Sequence, residues 1–365
     1  LRTIVLFDPE ANQNFKFLGR AVMAHAETHN QLAEEQYGSR KQKTAIAHVL
    51  NKRLSYDIMR QMKTAGALCS NDAKSCYDRI LHSVASLCLR RMGLPEEAIV
   101  CMFSTLQNLE HTVRTVYGDS EQSYGGRLWI VPLHGIGQGN GGGPMLWAVV
   151  STPVLKVMRS EGFGTYFRAC ISGETIRFVG YSFVDDTDLI QSARHSTETE
   201  LEVASEMQRA LNTWEGTLRA TGGAIVPSKS FWYLIGFQWT EGTWKYKDEQ
   251  AAPATLSVKD CDGNVVQLER LPPHIARRTL GVRLAPDGNN KEEIQHLRLV
   301  AEKWSALIRA GHIQRHEAWY ALTATVMRTI EYSLLALTLS TRDCSYIMAP
   351  ILSGGLPACG ICRNF

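Results

Sequence analysis

Apolar and polar positions alternate in two distinct rhythms along this chain. The opening Leu1-Arg2-Thr3-Ile4-Val5-Leu6-Phe7 predicts a strand closed by Asp8-Pro9. A helical period follows over residues 16–35 and again over 43–65. Leu68-Cys69 reads as a strand running to Asn71-Asp72, followed by a long helix over 77–91 that Gly93-Leu94-Pro95 stops. Pro95 opens the next helix, with Glu96 and Glu97 in its first turn, where carboxylates suit the helix dipole. Strands are expected at 113–117 and 127–131, and a helix from Pro144 to about Arg159. Residues 178–190 have the pattern of a β-hairpin turning at Val184-Asp185-Asp186. A regular amphipathic helix over 198–220 ends at Thr221-Gly222-Gly223. Short strands fill 224–282, with turns at Glu241-Gly242 and Asp262-Gly263, and helices fill the remainder from Lys291. Helices first, a mixed middle and helices last predict an α+β fold rather than an even βαβα alternation.

Bulk composition narrows the class. Of 365 residues, 44% are hydrophobic and 21% charged, enough to bury a sizeable core in two or three packed units. The net charge of +3 is mild, and the basic runs Arg40-Lys41-Gln42-Lys43, Arg90-Arg91 and Arg277-Arg278 are local. Nine irregularly spaced cysteines argue against a secreted disulfide framework and for a reducing, intracellular setting. Cys359 and Cys362 form half a zinc site without a second half. His312 and His316 share a helix but lack an accompanying carboxylate ligand. Residues 330–339 are too short and too interrupted to span a bilayer, and no signal segment opens the chain. Leu1 in place of Met predicts a piece of a longer polyprotein with flanking domains.

Three segments carry chemistry. Adjacent carboxylates at a turn, Asp185-Asp186, repel one another unless a cation joins them, and Mg²⁺ prefers such hard oxygen ligands. Asp72, at the end of a separate strand, supplies a third carboxylate, so two metals could be held for in-line phosphoryl displacement. Asp78 reads more simply as a helix-start residue. Residues 137–142 match G-x-G-x-x-G, but no βαβ unit or ribose-binding acid accompanies them, and no Gly-Lys-Ser/Thr makes a Walker loop. What remains is a glycine backbone built for close approach, with Gln138 as its polar reader.

In this order and spacing the three segments resemble motifs A, B and C of retroelement reverse transcriptases, particularly those of non-LTR retrotransposons: Asp72 to Asp78, Gly135 to Gly139 and Phe183 to Asp186. Further segments fit. Arg2-Thr3-Ile4 and Tyr37-Gly38-Ser39-Arg40-Lys41 resemble fingers segments, Pro227-Ser228-Lys229 resembles motif D, and Thr279-Leu280-Gly281-Val282 resembles the motif E hairpin. The family's usual serine before the motif B proline is Gly143 here, and Phe183-Val184 stands where Tyr-Ala or Tyr-Met is commoner.

The resemblance implies a right-hand polymerase: partial fingers over 1–66, a palm with an antiparallel ferredoxin-like sheet over 67–282, and a thumb-like helical region over 283–365. It implies RNA-directed DNA synthesis, extending a DNA primer 3′-hydroxyl with dNTPs on an RNA template, with two Mg²⁺ ions (Mn²⁺ as the alternative) on Asp72, Asp185 and Asp186. Tyr77 would reject the 2′-hydroxyl, Gln138 and Gly139 support the nascent pair, Arg2 and Arg40 contact the substrate, and Lys229 protonate the leaving group. The competing readings are a non-catalytic nucleic-acid-binding remnant and an RNA-dependent RNA polymerase.

Overall fold

The computed structural model describes residues 4–125 and 134–361. The expected strand at 127–131, the first residues of the opening strand, and Cys362 lie outside them. Two compact units are formed, one from Leu1–Thr44, Ala65–Leu234 and Glu249–Arg270, the other from Ala45–Thr64, Ile235–Asp248 and Leu271–Phe365.

The first unit is built on a five-stranded sheet with the order Glu269–Leu271, Phe231–Ile235, Gly66–Asp72, Asp186–Ser192, Gly180–Phe183. Asp186–Ser192 runs antiparallel to both of its neighbours. Gly66–Asp72 and Asp186–Ser192 are almost wholly buried, as suits strands covered on both faces. The expected amphipathic helix is Glu200–Ala220, which starts with a Thr199/Glu202 capping box. Its buried Val203, Met207, Ala210, Leu211, Trp214 and Leu218 recur at helical spacing, in one core with Ala67, Cys69, Leu189 and Trp232. Truncating Met207 to Ala there should cost about 2–5 kcal/mol. Helix Gly143–Ser160 joins the same core through Leu146, Val149 and Met158.

Several boundaries differ from expectation. Helix Pro9–Thr28 starts earlier, because the Asp8 carboxylate accepts from the Glu10 and Ala11 amides and Pro9 is preset for the first turn. Ile4–Leu6 and Phe7 form no strand, although the Val5 amide donates to the Gln138 carbonyl at 2.7 Å. The long helix expected over 77–91 is two pieces, Cys76–Arg79 and His82–Arg91. Between them Ile80 and Leu81 are extended, the Ile80 carbonyl accepting from Gly135 and the Leu81 amide donating to Thr221.

The second unit joins helix Ala45–Met62 to two hairpins and the C-terminal helices. The expected boundary at residue 66 therefore does not follow the compact units. Its reason is polar: Lys52 donates to Thr279 Oγ1 at 2.9 Å, Arg53 to the Gly288 carbonyl at 2.8 Å and Arg60 to the Asp287 carbonyl at 2.6 Å. In hairpin Phe237–Thr240/Thr243–Tyr246, Trp239 and Trp244 are direct cross-strand partners, edge to face at 5.4 Å. Leu297, Ala301, Leu322, Val326, Ile330, Ile347 and Ile351 form this unit's helical core. Among the described residues no helix is long and apolar enough to cross a membrane.

Candidate active site

Strand Gly66–Asp72 carries its last residue to a crowded junction. The Asp72 carbonyl accepts from the Val226 amide at 2.9 Å, and the Asp72 amide donates to the Ser230 hydroxyl oxygen at 3.4 Å. Those two partners flank the 3₁₀ turn Pro227–Lys229, which delivers Lys229 Nζ to 3.1 Å from Asp72 Oδ2. Lys229 is otherwise exposed, and Asp72 half-buried.

Across the sheet, Asp72 is the direct Cα partner of Asp186, and Phe183 pairs with Asp186 from the other side. Directly paired residues project to the same face, so Asp72 and Asp186 share one surface. Val184 and Asp185 alone make the turn, and Val184 adopts a left-handed φ of 58°. Asp185 is half-buried and Asp186 exposed. Two residues further along the strand, Asp188 is a buried carboxylate opposite Ser70 and Tyr181.

Among the described residues, no group of three or more histidine, cysteine or carboxylate side chains is gathered closely enough to hold a metal ion. The cation against Asp72 is the Lys229 ammonium. The donor chemistry nonetheless fits a hard divalent ion: oxygens only, from two strands, on a shared edge.

Tyr77 lies in the short helix after Asp72, its carbonyl accepting from Ile136 at 2.9 Å. A Cβ on Gly143 would stand 3.6 Å from the Tyr77 ring, so the residue that replaces the family's usual serine lies against this side chain. The glycine loop makes its close approach to its own chain. A Cβ at Gly139, where φ is +121°, would fall 2.2 Å from the Val5 carbonyl oxygen. The Gly139 carbonyl accepts from Asn12 and the Gly141 amide donates to Asn12 Oδ1 at 2.6 Å. Gln138 therefore sits on a loop tied to the N-terminal segment and helix Pro9–Thr28.

His82 ties the same loop from the other side. Its Nε2 donates to the Gly135 carbonyl at 2.5 Å, while Nδ1 accepts from Gln107 at 2.6 Å, which fixes the neutral tautomer. Burial pushes the imidazole below the ordinary histidine range, opposed by the Gly135 carbonyl and reinforced by His134.

Of the two arginines expected to contact substrate, Arg2 lies outside the described residues and Arg40 is engaged within the chain. Arg40 forks onto Glu27 at 2.8 and 2.7 Å and donates to the Ala33 carbonyl at 2.7 Å, with only 11% of its side chain exposed. That guanidinium holds the Glu27 carboxyl below the usual range. The arrangement makes Arg40 a brace of the segment after helix Pro9–Thr28.

Two residues that the sequence reading passed over hold the hairpin turn. Gln36 Oε1 accepts from the Val184 amide at 3.1 Å, and Trp147 Nε1 donates to the Val184 carbonyl. Gln36 directly precedes the Tyr37–Lys41 segment and Trp147 sits in the apolar first half of helix Gly143–Ser160. Neither position carries a pattern that marks it out.

A family model described as "Reverse transcriptase (RNA-dependent DNA polymerase)" matches residues 10–278. No curated protein matches the chain. Solved structures that resemble it include apo telomerase from Candida tropicalis truncated from its C-terminal domain, at 11% identity and TM-score 0.40, covering 70% of this chain and 45% of that one. Telomerase from Candida albicans with a TWJ fragment of telomeric RNA aligns at 11% and 0.38, covering 93% and 50%. Apo telomerase from Candida tropicalis aligns at 10% and 0.40, covering 95% and 54%. The chain spans about half the length of these telomerases.

Proposed function

The chain belongs to the reverse transcriptase (RNA-dependent DNA polymerase) family, and from that premise we propose that it extends a DNA primer 3′-hydroxyl with dNTPs along an RNA template. The observation that carries this reading is the register that pairs Asp72 with Asp186, one residue beyond Asp185. A solvated turn that merely happened to hold two aspartates would need no third carboxylate opposite it.

On this reading the five-stranded sheet is the palm and the helices from Lys291 onward the thumb. Asp72, Asp185 and Asp186 would hold divalent ions, Mg²⁺ by preference, which supply charge neutralisation and acidify the attacking hydroxyl. The side chains of the chain itself do the rest. Lys229 leaves Asp72 when the triphosphate arrives and gives its proton to the departing pyrophosphate. Tyr77, backed by Gly143, closes the space a 2′-hydroxyl would need. Gln138 and Gly139, anchored through Val5 and Asn12, present a firm loop to the nascent base pair. Sequence is read by base pairing, so the protein grips template and primer through their phosphates, and binding weakens with salt.

The binding-remnant reading draws on one observation, that Lys229 already neutralises Asp72. Primer extension on an RNA template with dNTPs, then with rNTPs, decides between the readings. Mg²⁺-dependent incorporation of dNTPs that Asp185→Asn abolishes is the expected result; binding without incorporation would overturn it, and rNTP incorporation would point to RNA synthesis.

A further inference from the structure

The turn that carries Asp185 has an unusual backbone for its sequence. Val184 is β-branched yet left-handed, φ 58°, a region such side chains rarely enter. Conformations of this kind persist only where the surroundings over-determine them. Here both polar groups of the Val184 residue are held by side chains from elsewhere, the amide by Gln36 and the carbonyl by Trp147.

Gln36 is fully buried and uses its whole amide. Oε1 accepts from Gly38 at 2.8 Å and from Val184 at 3.1 Å, and Nε2 lies 3.2 Å from Ser151 Oγ and 3.3 Å from Ser182 Oγ. Two backbone amides converge on one end, so only the oxygen can face them and the orientation is fixed. Gly38 completes the seat: a Cβ there would fall 2.4 Å from the Val184 nitrogen. The neighbouring backbone follows the same path, Ser182 donating to Glu35 at 2.8 Å and Tyr37 donating to Ser182 at 2.7 Å.

We infer that Gln36 is a positioning residue for the polymerase reaction, holding Val184 left-handed, with Trp147 as its counterpart, so that Asp185 is presented from a fixed backbone beside the Asp72–Asp186 pair. This rests on the polymerase reading given above. Asp185 directly follows the clamped peptide, so a small rotation there displaces its carboxylate. Gln36 and Trp147 act on the reaction only through Val184.

The test uses Gln36→Met, which keeps the side-chain length and removes the hydrogen bonds. It is read by amide hydrogen exchange over residues 182–188 and by primer extension with Mg²⁺ titrated. Expected are faster exchange confined to the hairpin turn, a fall of roughly ten- to a hundredfold in kcat with little change in template–primer KM, and a raised Mg²⁺ requirement. In a Val184→Gly background, where a left-handed residue costs nothing, the same substitution should lose far less. Gly38→Ala, which pushes on the turn from outside, should reproduce the exchange change if Gln36→Met does not fold. Unchanged exchange at the turn in a folded variant, or an equal loss in the Val184→Gly background, would overturn the inference. A wild-type chain that fails to extend primers would sink the polymerase reading instead, and the exchange result would then decide the clamp alone.

Discussion

Asp72 and Asp186 are direct partners across two antiparallel strands, so two carboxylates face one another with Lys229 bridging to the first. Like charges opposed in this way destabilise a sheet. Asp186→Asn is therefore expected to raise the stability of the metal-free protein by up to about 1 kcal/mol, less at high salt. The same change should abolish primer extension. Thermal unfolding with and without Mg²⁺ checks both halves: the ion should stabilise the wild type and leave the variant unmoved.

Lys229 makes a different prediction because its side chain is 68% exposed. Exposed ion pairs contribute little, so Lys229→Met should change stability by no more than about 0.5 kcal/mol. Single-turnover rates should nevertheless drop by about tenfold or more if the ammonium serves the leaving group. A variant with full kcat removes Lys229 from the reaction.

Sugar selection should reside in Tyr77, which lies against Gly143. Tyr77→Val is expected to raise kcat/KM for rNTPs while leaving dNTP use largely intact. The ratio of the two, measured on one template, is the readout, and an unchanged ratio excludes the gate.

His82 gives the glycine loop a pH dependence. Burial holds its folded pKa below the ordinary value near 6.5, so the unfolded chain takes up a proton first as pH falls. The contribution of the neutral imidazole is present above about pH 6.5 and is lost as the pH falls through that value toward the folded pKa. Denaturant midpoints from pH 7.5 down to about 5.5 should decline in the wild type and flatten in His82→Gln.

Gly139→Ala should destabilise more than Gly242→Ala, although both residues have positive φ. A Cβ at Gly242 meets nothing within 4 Å, whereas one at Gly139 meets the Val5 carbonyl. The difference between the two variants isolates the collision from the backbone strain and is expected to exceed about 1 kcal/mol.

What the sequence disclosed follows physical range. Helices Glu200–Ala220 and Gly143–Ser160 and the hairpin around Asp185 are legible because periodicity, caps and turns are local signals. The break at Ile80-Leu81 is not, since both residues continue the apolar pattern and their hydrogen bonds go to Gly135 and Thr221. The brace between Arg40 and Glu27 is not legible either, because Glu27 belongs to the preceding helix. Gln36 and Trp147 were invisible for the same reason at longer range: each meets Val184 only after the chain has folded back upon itself.

Gly180–Phe183 ends its sheet, and the Ser182 amide and carbonyl on its outer side are already taken by Glu35 and Tyr37. The segment before helix Ala45–Met62 thus shields a strand whose open flank would otherwise recruit another chain. Cleavage anywhere in residues 29–44 should consequently leave the protein prone to self-association before it unfolds. Aggregation, more than loss of catalysis, would then be the first symptom of damage to this stretch.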